Sequence, residues 1–105
     1  MNDKQALVLF AHGARDPRWA QPFKKLQAIA QQQLGGAQVE LAFLELMEPR
    51  LPETIDRLAA DGCVSISVVP VFLGQGGHVL RDLPPMIEEL RTRHPQLQIS
   101  VSDAV

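Results

Sequence analysis

The run Val64-Ser65-Ile66-Ser67-Val68-Val69-Pro70-Val71-Phe72-Leu73, followed at once by Gly74-Gln75-Gly76-Gly77-His78, decides how the chain is read. Ten mostly β-branched or apolar residues make a strand, and glycines at its end present an imidazole beyond the last pairing position. The layout has a precedent earlier in the chain, where Ala6 to Ala11 runs straight into His12-Gly13. Between them Val39 to Leu44 ends in Glu45. His12, Glu45 and His78 follow one another at intervals of 33 residues.

Working outward, helical patterns fill the gaps. Asp16 caps and Pro17 opens a helix whose stripe is Trp19, Phe23, Leu26, Ile29, Ala30 and Leu34, ended by Gly35-Gly36. Pro49 and Pro52 mark the entrance to a second, with Leu51, Ile55, Leu58 and Ala59 inward and Gly62 as its stop. A third starts at Asp82, with Pro84 in its first turn and Leu83, Met86, Ile87 and Leu90 inward. Leu97 to Val101 alternates as a half-exposed fourth strand. Pro70 cannot donate to a ladder, so it belongs where pairing ends or has no partner.

This alternation predicts an α/β fold, a three-layer sandwich around a four-stranded parallel sheet with right-handed crossovers. The expected order is 2-1-3-4, a flavodoxin-like arrangement whose ligand edge is the carboxyl ends of the strands. His12, Glu45 and His78 crowd onto that edge. The 105 residues form one domain, 1–105, of ordinary globular composition. A net charge of -2 argues against nucleic acid. No apolar run reaches the ~18–20 residues that span a bilayer, and the start lacks a secretory pattern. The lone cysteine, Cys63, rules out a disulfide framework within the chain and is expected to pack in the core. These features are the ones expected of a cytoplasmic protein.

Two imidazoles and a carboxylate suit a first-row divalent cation with positions left for water or substrate, and the same groups serve as bases. One histidine at a strand end is more often structural. Three candidates on one ligand edge are a different matter. His94, before Pro95, belongs to the opposite edge and a cap or surface role. Arg15, Arg50 and Arg81 each follow a strand end, and guanidinium groups there suit carboxylates or phosphates. The glycine-rich loop lacks the ending of a P-loop, and Ala11 stands where histidine-phosphatase chemistry needs arginine.

Leu9 to Pro17, Ala42 to Leu46, and Val69 to Leu73 through Gly76-Gly77-His78-Val79 resemble the sirohydrochlorin chelatases, most nearly the short CbiX-type cobaltochelatases, which are similar to the ferrochelatases. The resemblance implies half of the class II chelatase fold and insertion of Co2+ or Fe2+, with Ni2+ a third candidate, into sirohydrochlorin for cobalamin or sirohaem. It implies no ATP and no organic cofactor; the metal is a substrate. His12 and His78 would bind metal and take part in catalysis with Glu45 beside them. Arg15, Arg50 and Arg81 would meet the carboxylates of the macrocycle, while Gly76 and Gly77 clear its approach. The resemblance further implies a homodimer around the cleft. The resemblance also implies a further helix after the fourth strand in most members, and a chain that stops at Val105 is expected to lack it, so part of one sheet face is expected to expose an apolar patch. The competing reading is a non-catalytic module that binds or delivers metal or tetrapyrrole.

Overall fold

Apolar residues alternate between two faces of the central strand, and that alternation builds both halves of the core. The structure, a computed structural model, describes residues 4–71 and 77–102, with the side chains of 77–80 and 82 outside that description. Strands β1 (Lys4–Ala11), β2 (Gln38–Phe43), β3 (Cys63–Pro70) and β4 (Gln98–Val101) form one parallel sheet in the order 2-1-3-4. This is the expected topology. Along β1, Ala6, Val8 and Phe10 enter the core of one face, while Leu9 and Ala11 enter that of the other with Leu7 packed beside them. An uninterrupted apolar run is what a doubly covered parallel strand requires.

The first face is closed by two helices. Helix α2 (Leu51–Ala60) contributes Leu51, Ile55 and Leu58, and α3 (Gly77–Arg93) contributes Leu83, Ile87 and Leu90. Gly62, at φ 95°, takes the left-handed turn that lets α2 stop and β3 begin. Cys63 is buried in this core, and burial pushes its thiol up, away from reactivity. Arg91 ties α3 to β4 by donating from Nη2 to the Ile99 carbonyl at 2.8 Å.

Helix α1 (Gln21–Gln33) covers the second face over β1 and β2. Asp16 caps the chain as expected, accepting from the Arg18 amide at 2.9 Å, but the first turn, Pro17–Ala20, is a 3-10 helix. Of the predicted stripe, Phe23 is buried, and Trp19 and Ala30 are partly buried against the same core. Leu26, Ile29 and Leu34 are exposed. The reason is layer composition: among the described residues α1 and the short 3-10 turn before it are the helical cover of this core, so the outer flank of α1 has no neighbouring helix to press against.

Three further expectations need correction. Helix α3 begins at Gly77, and Asp82 lies inside it, not at its cap. Its buried stripe holds the helix on the sheet across Pro84 and Pro85, although each proline forfeits one backbone bond to the preceding turn. Strand β3 ends at Pro70, short of Leu73, which lies outside the described residues. The Val71 amide donates to the Phe10 carbonyl at 2.8 Å, so Pro70 turns its missing N–H toward β4, where the ladder stops at Val68–Val101. Finally, among the described residues, the strands beyond α1 do not present the expected apolar patch. There β3 offers half-buried Ser65, Ser67 and Val69, β4 offers exposed Gln98 and Ser100, and Ser67 meets Ser100 at 3.3 Å. Hydroxyls and an amide keep that surface wettable.

At the other edge of the sheet, Asp56 on α2 receives Arg93 at 2.6 Å and His94 Nε2 at 2.7 Å. His94 is thus a clamp between α2 and α3. The hydrogen bond from His94, more than Arg93, holds the Asp56 carboxyl below its usual range. A carboxyl with a depressed folded-state value stabilises the fold above its unfolded value, near 3.8, and loses that contribution as pH falls further. Asp56→Asn is therefore expected to lower stability at pH 7 by roughly 0.5–1 kcal/mol, since the pair is partly solvated. Urea titrations at pH 7 and below pH 4 should converge for the two proteins in acid.

Candidate metal centre

The site is built where β1 and β2 run past their last paired residues. Beyond the Ala11–Phe43 pair the two chains stay in hydrogen-bonding register: the Leu44 amide donates to the Ala11 carbonyl at 2.9 Å and the Glu45 amide to the His12 carbonyl at 3.1 Å. His12 and Glu45 are thereby held side by side, with His12 Nε2 3.2 Å from Glu45 Oε1. Side-chain exposures of 38% and 54% leave both open to an incoming ion.

The His12 ring has a defined role for each nitrogen. Nδ1 lies 3.1 Å from the Gly13 carbonyl, which can only accept, so Nδ1 carries the hydrogen. Nε2 is then the nitrogen turned to Glu45. Two facing acceptors at that separation need a positive centre between them, a proton or a metal cation. Imidazole nitrogen and carboxylate oxygen are matched donors for borderline divalent ions.

His78 is the second residue of α3, directly after β3 and residues 71–76, so its backbone belongs to the same carboxyl edge. Its side chain lies outside the described residues, as does Gly76. Among the described residues there is no group of three or more histidine, cysteine or acidic side chains that could hold a metal. His12 and Glu45 are the pair that the structure brings together.

Arg15, Arg50 and Arg81 are all exposed. Among the described residues none of them forms an ion pair, whereas Arg18, Arg57, Arg91 and Arg93 each hold a carboxylate. Asp16, next to Arg15, is taken by Arg18, whose hydrogen bonds hold its carboxyl below the usual carboxylate range. The backbone of Arg50 has a structural duty. Its carbonyl accepts from both the amide and the hydroxyl of Thr54, at 3.0 Å each, starting α2. The Phe43 amide donates to the Pro49 carbonyl at 2.9 Å, so the segment from Leu44 to Pro49 is tethered at both ends. Trp19 props the same edge from α1's side, with ring centroids 4.6 Å from Phe23 and 6.3 Å from Phe43.

Two residues of the site edge escaped the reading of the sequence. Gly13 has φ 104°, and a Cβ there would sit 1.8 Å from the Glu45 carbonyl oxygen. No other residue lets the two chains approach so closely. The glycine after His12 was the available signal. Leu46 has φ 68°, a left-handed conformation that costs a leucine roughly 1–2 kcal/mol. Nothing in sequence spacing reveals such a backbone angle.

The family model described as CbiX matches residues 6–105. The sirohydrochlorin cobaltochelatase of Methanopyrus kandleri is 39% identical over 82 residues, covering 78% of this chain and 57% of that protein. The sirohydrochlorin ferrochelatase of Bacillus subtilis is 32% identical, covering 92% of this chain and 37% of that one. The chain therefore spans little more than half the length of the first relative and less of the second. The crystal structure of the sirohydrochlorin chelatase SirB from Bacillus subtilis subspecies spizizenii in complex with cobalt superposes with a TM-score of 0.83 at 28% identity, over 96% of this chain and 43% of that one.

Gly13→Ala is expected to force the β1 and β2 ends apart. The left-handed angle alone costs about 1–3 kcal/mol, and the overlap with the Glu45 carbonyl adds to it. Thermal unfolding should report the loss of stability, and isothermal titration of the apo protein with Co2+ should report weaker binding.

Proposed function

The chain belongs to the CbiX family, and from that premise we propose that it inserts a divalent metal, Co2+ or Fe2+, into sirohydrochlorin without ATP, in the formation of cobalamin or sirohaem. The observation that carries this reading is the His12–Glu45 pair, 3.2 Å apart at the ligand edge of a parallel sheet and open to solvent. The metal is a substrate: it enters as a hydrated ion and leaves inside the macrocycle.

Insertion demands three things of the protein. It must strip water from the cation, hold the cation over the macrocycle, and accept the two pyrrole protons that the cation displaces. In our reading His12 Nε2, Glu45 and His78 replace water on the metal and release it toward the pyrrole nitrogens. The vacated nitrogen and carboxylate then take up protons and pass them to solvent, which the exposure of both groups allows. Charge balances, since one divalent cation enters and two protons depart. Arg15, Arg50 and Arg81 would bind the carboxylates of the substrate, a task suited to exposed guanidinium groups that, among the described residues, hold no carboxylate of their own. Gly76 and Gly77 would leave room for the flat ring. We further propose a homodimer closing over the cleft, acting in the cytoplasm. Imidazole and carboxylate accept Ni2+ as well as Co2+ and Fe2+, so the ligand types leave the choice among these ions to site geometry and metal supply.

Mixing the purified chain with sirohydrochlorin and Co2+, Fe2+ or Ni2+, and following the absorbance change, tests this directly. A rate no greater than the spontaneous one would overturn the enzyme reading; tight binding without insertion would identify a delivery module. His12→Ala and His78→Ala should each slow insertion by about 10²–10⁴-fold, the usual contribution of a positioned base. Arg15→Ala, Arg50→Ala and Arg81→Ala should raise KM for the macrocycle while Co2+ affinity stays near that of the native chain.

A further inference from the structure

Leu46 carries two costs at once, and neither is explained by the fold. It is 54% exposed, and its backbone sits at φ 68°, where glycine, asparagine or aspartate would rest more easily. Its neighbours behave differently. Leu44 packs against the core beneath α2 and α3, Met47 packs against the core beneath α1, and Leu46 joins neither. An exposed leucine alone is unremarkable. An exposed leucine held in a left-handed conformation, one residue from the carboxylate that faces His12 and in a segment tethered at both ends, points to use of that side chain by a ligand.

We propose that Leu46 is the apolar seat for the face of the flat substrate, packing its branched end on the conjugated ring while Glu45 addresses the metal. This rests on the tetrapyrrole reading of the site. The chemistry is complementary: a macrocycle with charged groups at its rim has an apolar face, and arginines alone would leave that face in water. Placing the leucine in the left-handed conformation turns the chain at Leu46, so that consecutive residues serve the metal and the ring.

The test uses three variants of the intact chain. Leu46→Gly and Leu46→Asn accept φ 68° but remove the apolar contact; Leu46→Met keeps an apolar side chain. Metal-free sirohydrochlorin is titrated against each, with Co2+ affinity, Tm and sedimentation measured in parallel. The expected result is about tenfold weaker sirohydrochlorin binding for glycine and asparagine, the size of effect that losing roughly one apolar contact of this kind produces. The loss should appear in KM more than in kcat, with native Co2+ affinity and a Tm equal to or above the native value. Methionine should restore most of the binding. Native-like affinity in the glycine and asparagine variants overturns the proposal, as does a matching fall in Co2+ affinity, which would mean the residue acts through Glu45. A changed oligomeric state with unchanged binding also overturns it, in favour of a subunit contact. If the native chain itself binds no sirohydrochlorin, the tetrapyrrole reading falls and the role of Leu46 with it.

Discussion

The site depends on one close approach: the Gly13 backbone against the carbonyl of Glu45, where a side-chain carbon would have 1.8 Å of space. Two parallel strands normally splay as they leave a sheet. Here the ladder continues for two residues beyond the last pair, through the Leu44 and Glu45 amides, and a glycine makes that continuation sterically allowed. The imidazole and the carboxylate inherit their separation from it. Neither side chain needs a buried partner to be positioned, so both stay accessible. The same stretch of backbone supplies the acceptor that defines the tautomer of His12.

The rest of the molecule supports that edge unequally. The face beneath α2 and α3 is closed by large, fully buried side chains such as Phe10, Ile55 and Leu58, and is tied at its far end by the Asp56–His94 contact. The α1 face is lighter. It rests on an aromatic contact from Trp19 to Phe23 and Phe43, and its outer flank leaves Leu26 and Ile29 in water. Rigid packing and open surface are thus arranged on opposite sides of one sheet. The exposed Arg15, Arg50 and Arg81 and the exposed Leu46 lie near its carboxyl edge, while Arg57, Arg91 and Arg93, which already hold carboxylates, serve the scaffold.

Much of this was legible in the order of residues. Apolar runs of strand length separated by helical stripes specify alternating elements, and chain connectivity then restricts a parallel sheet to few orders. His12, Glu45 and the backbone of His78 fall on one edge for that reason, because the carboxyl ends of parallel strands all point the same way. Pro70 could be placed from its missing donor, and Asp16 and Gly62 from their capping chemistry. The start of α3 could not. Two prolines at 84 and 85 resemble an entrance, and only the burial of Leu83, Ile87 and Leu90 against the sheet carries the helix across them. The exposure of Leu26 and Ile29 was hidden as well, since periodicity says which side of a helix is apolar but not what lies opposite it.

By itself, then, the sequence determined the element order, the sheet topology and which residue types gather at the ligand edge, because these follow from local pattern and chain connectivity. Tertiary structure decided the 3.2 Å contact of His12 with Glu45, the need for glycine at position 13 and the left-handed turn at Leu46. Each of those depends on the distance between backbone segments more than thirty residues apart or on a single dihedral angle. Such quantities exist only once both cores have closed around the sheet.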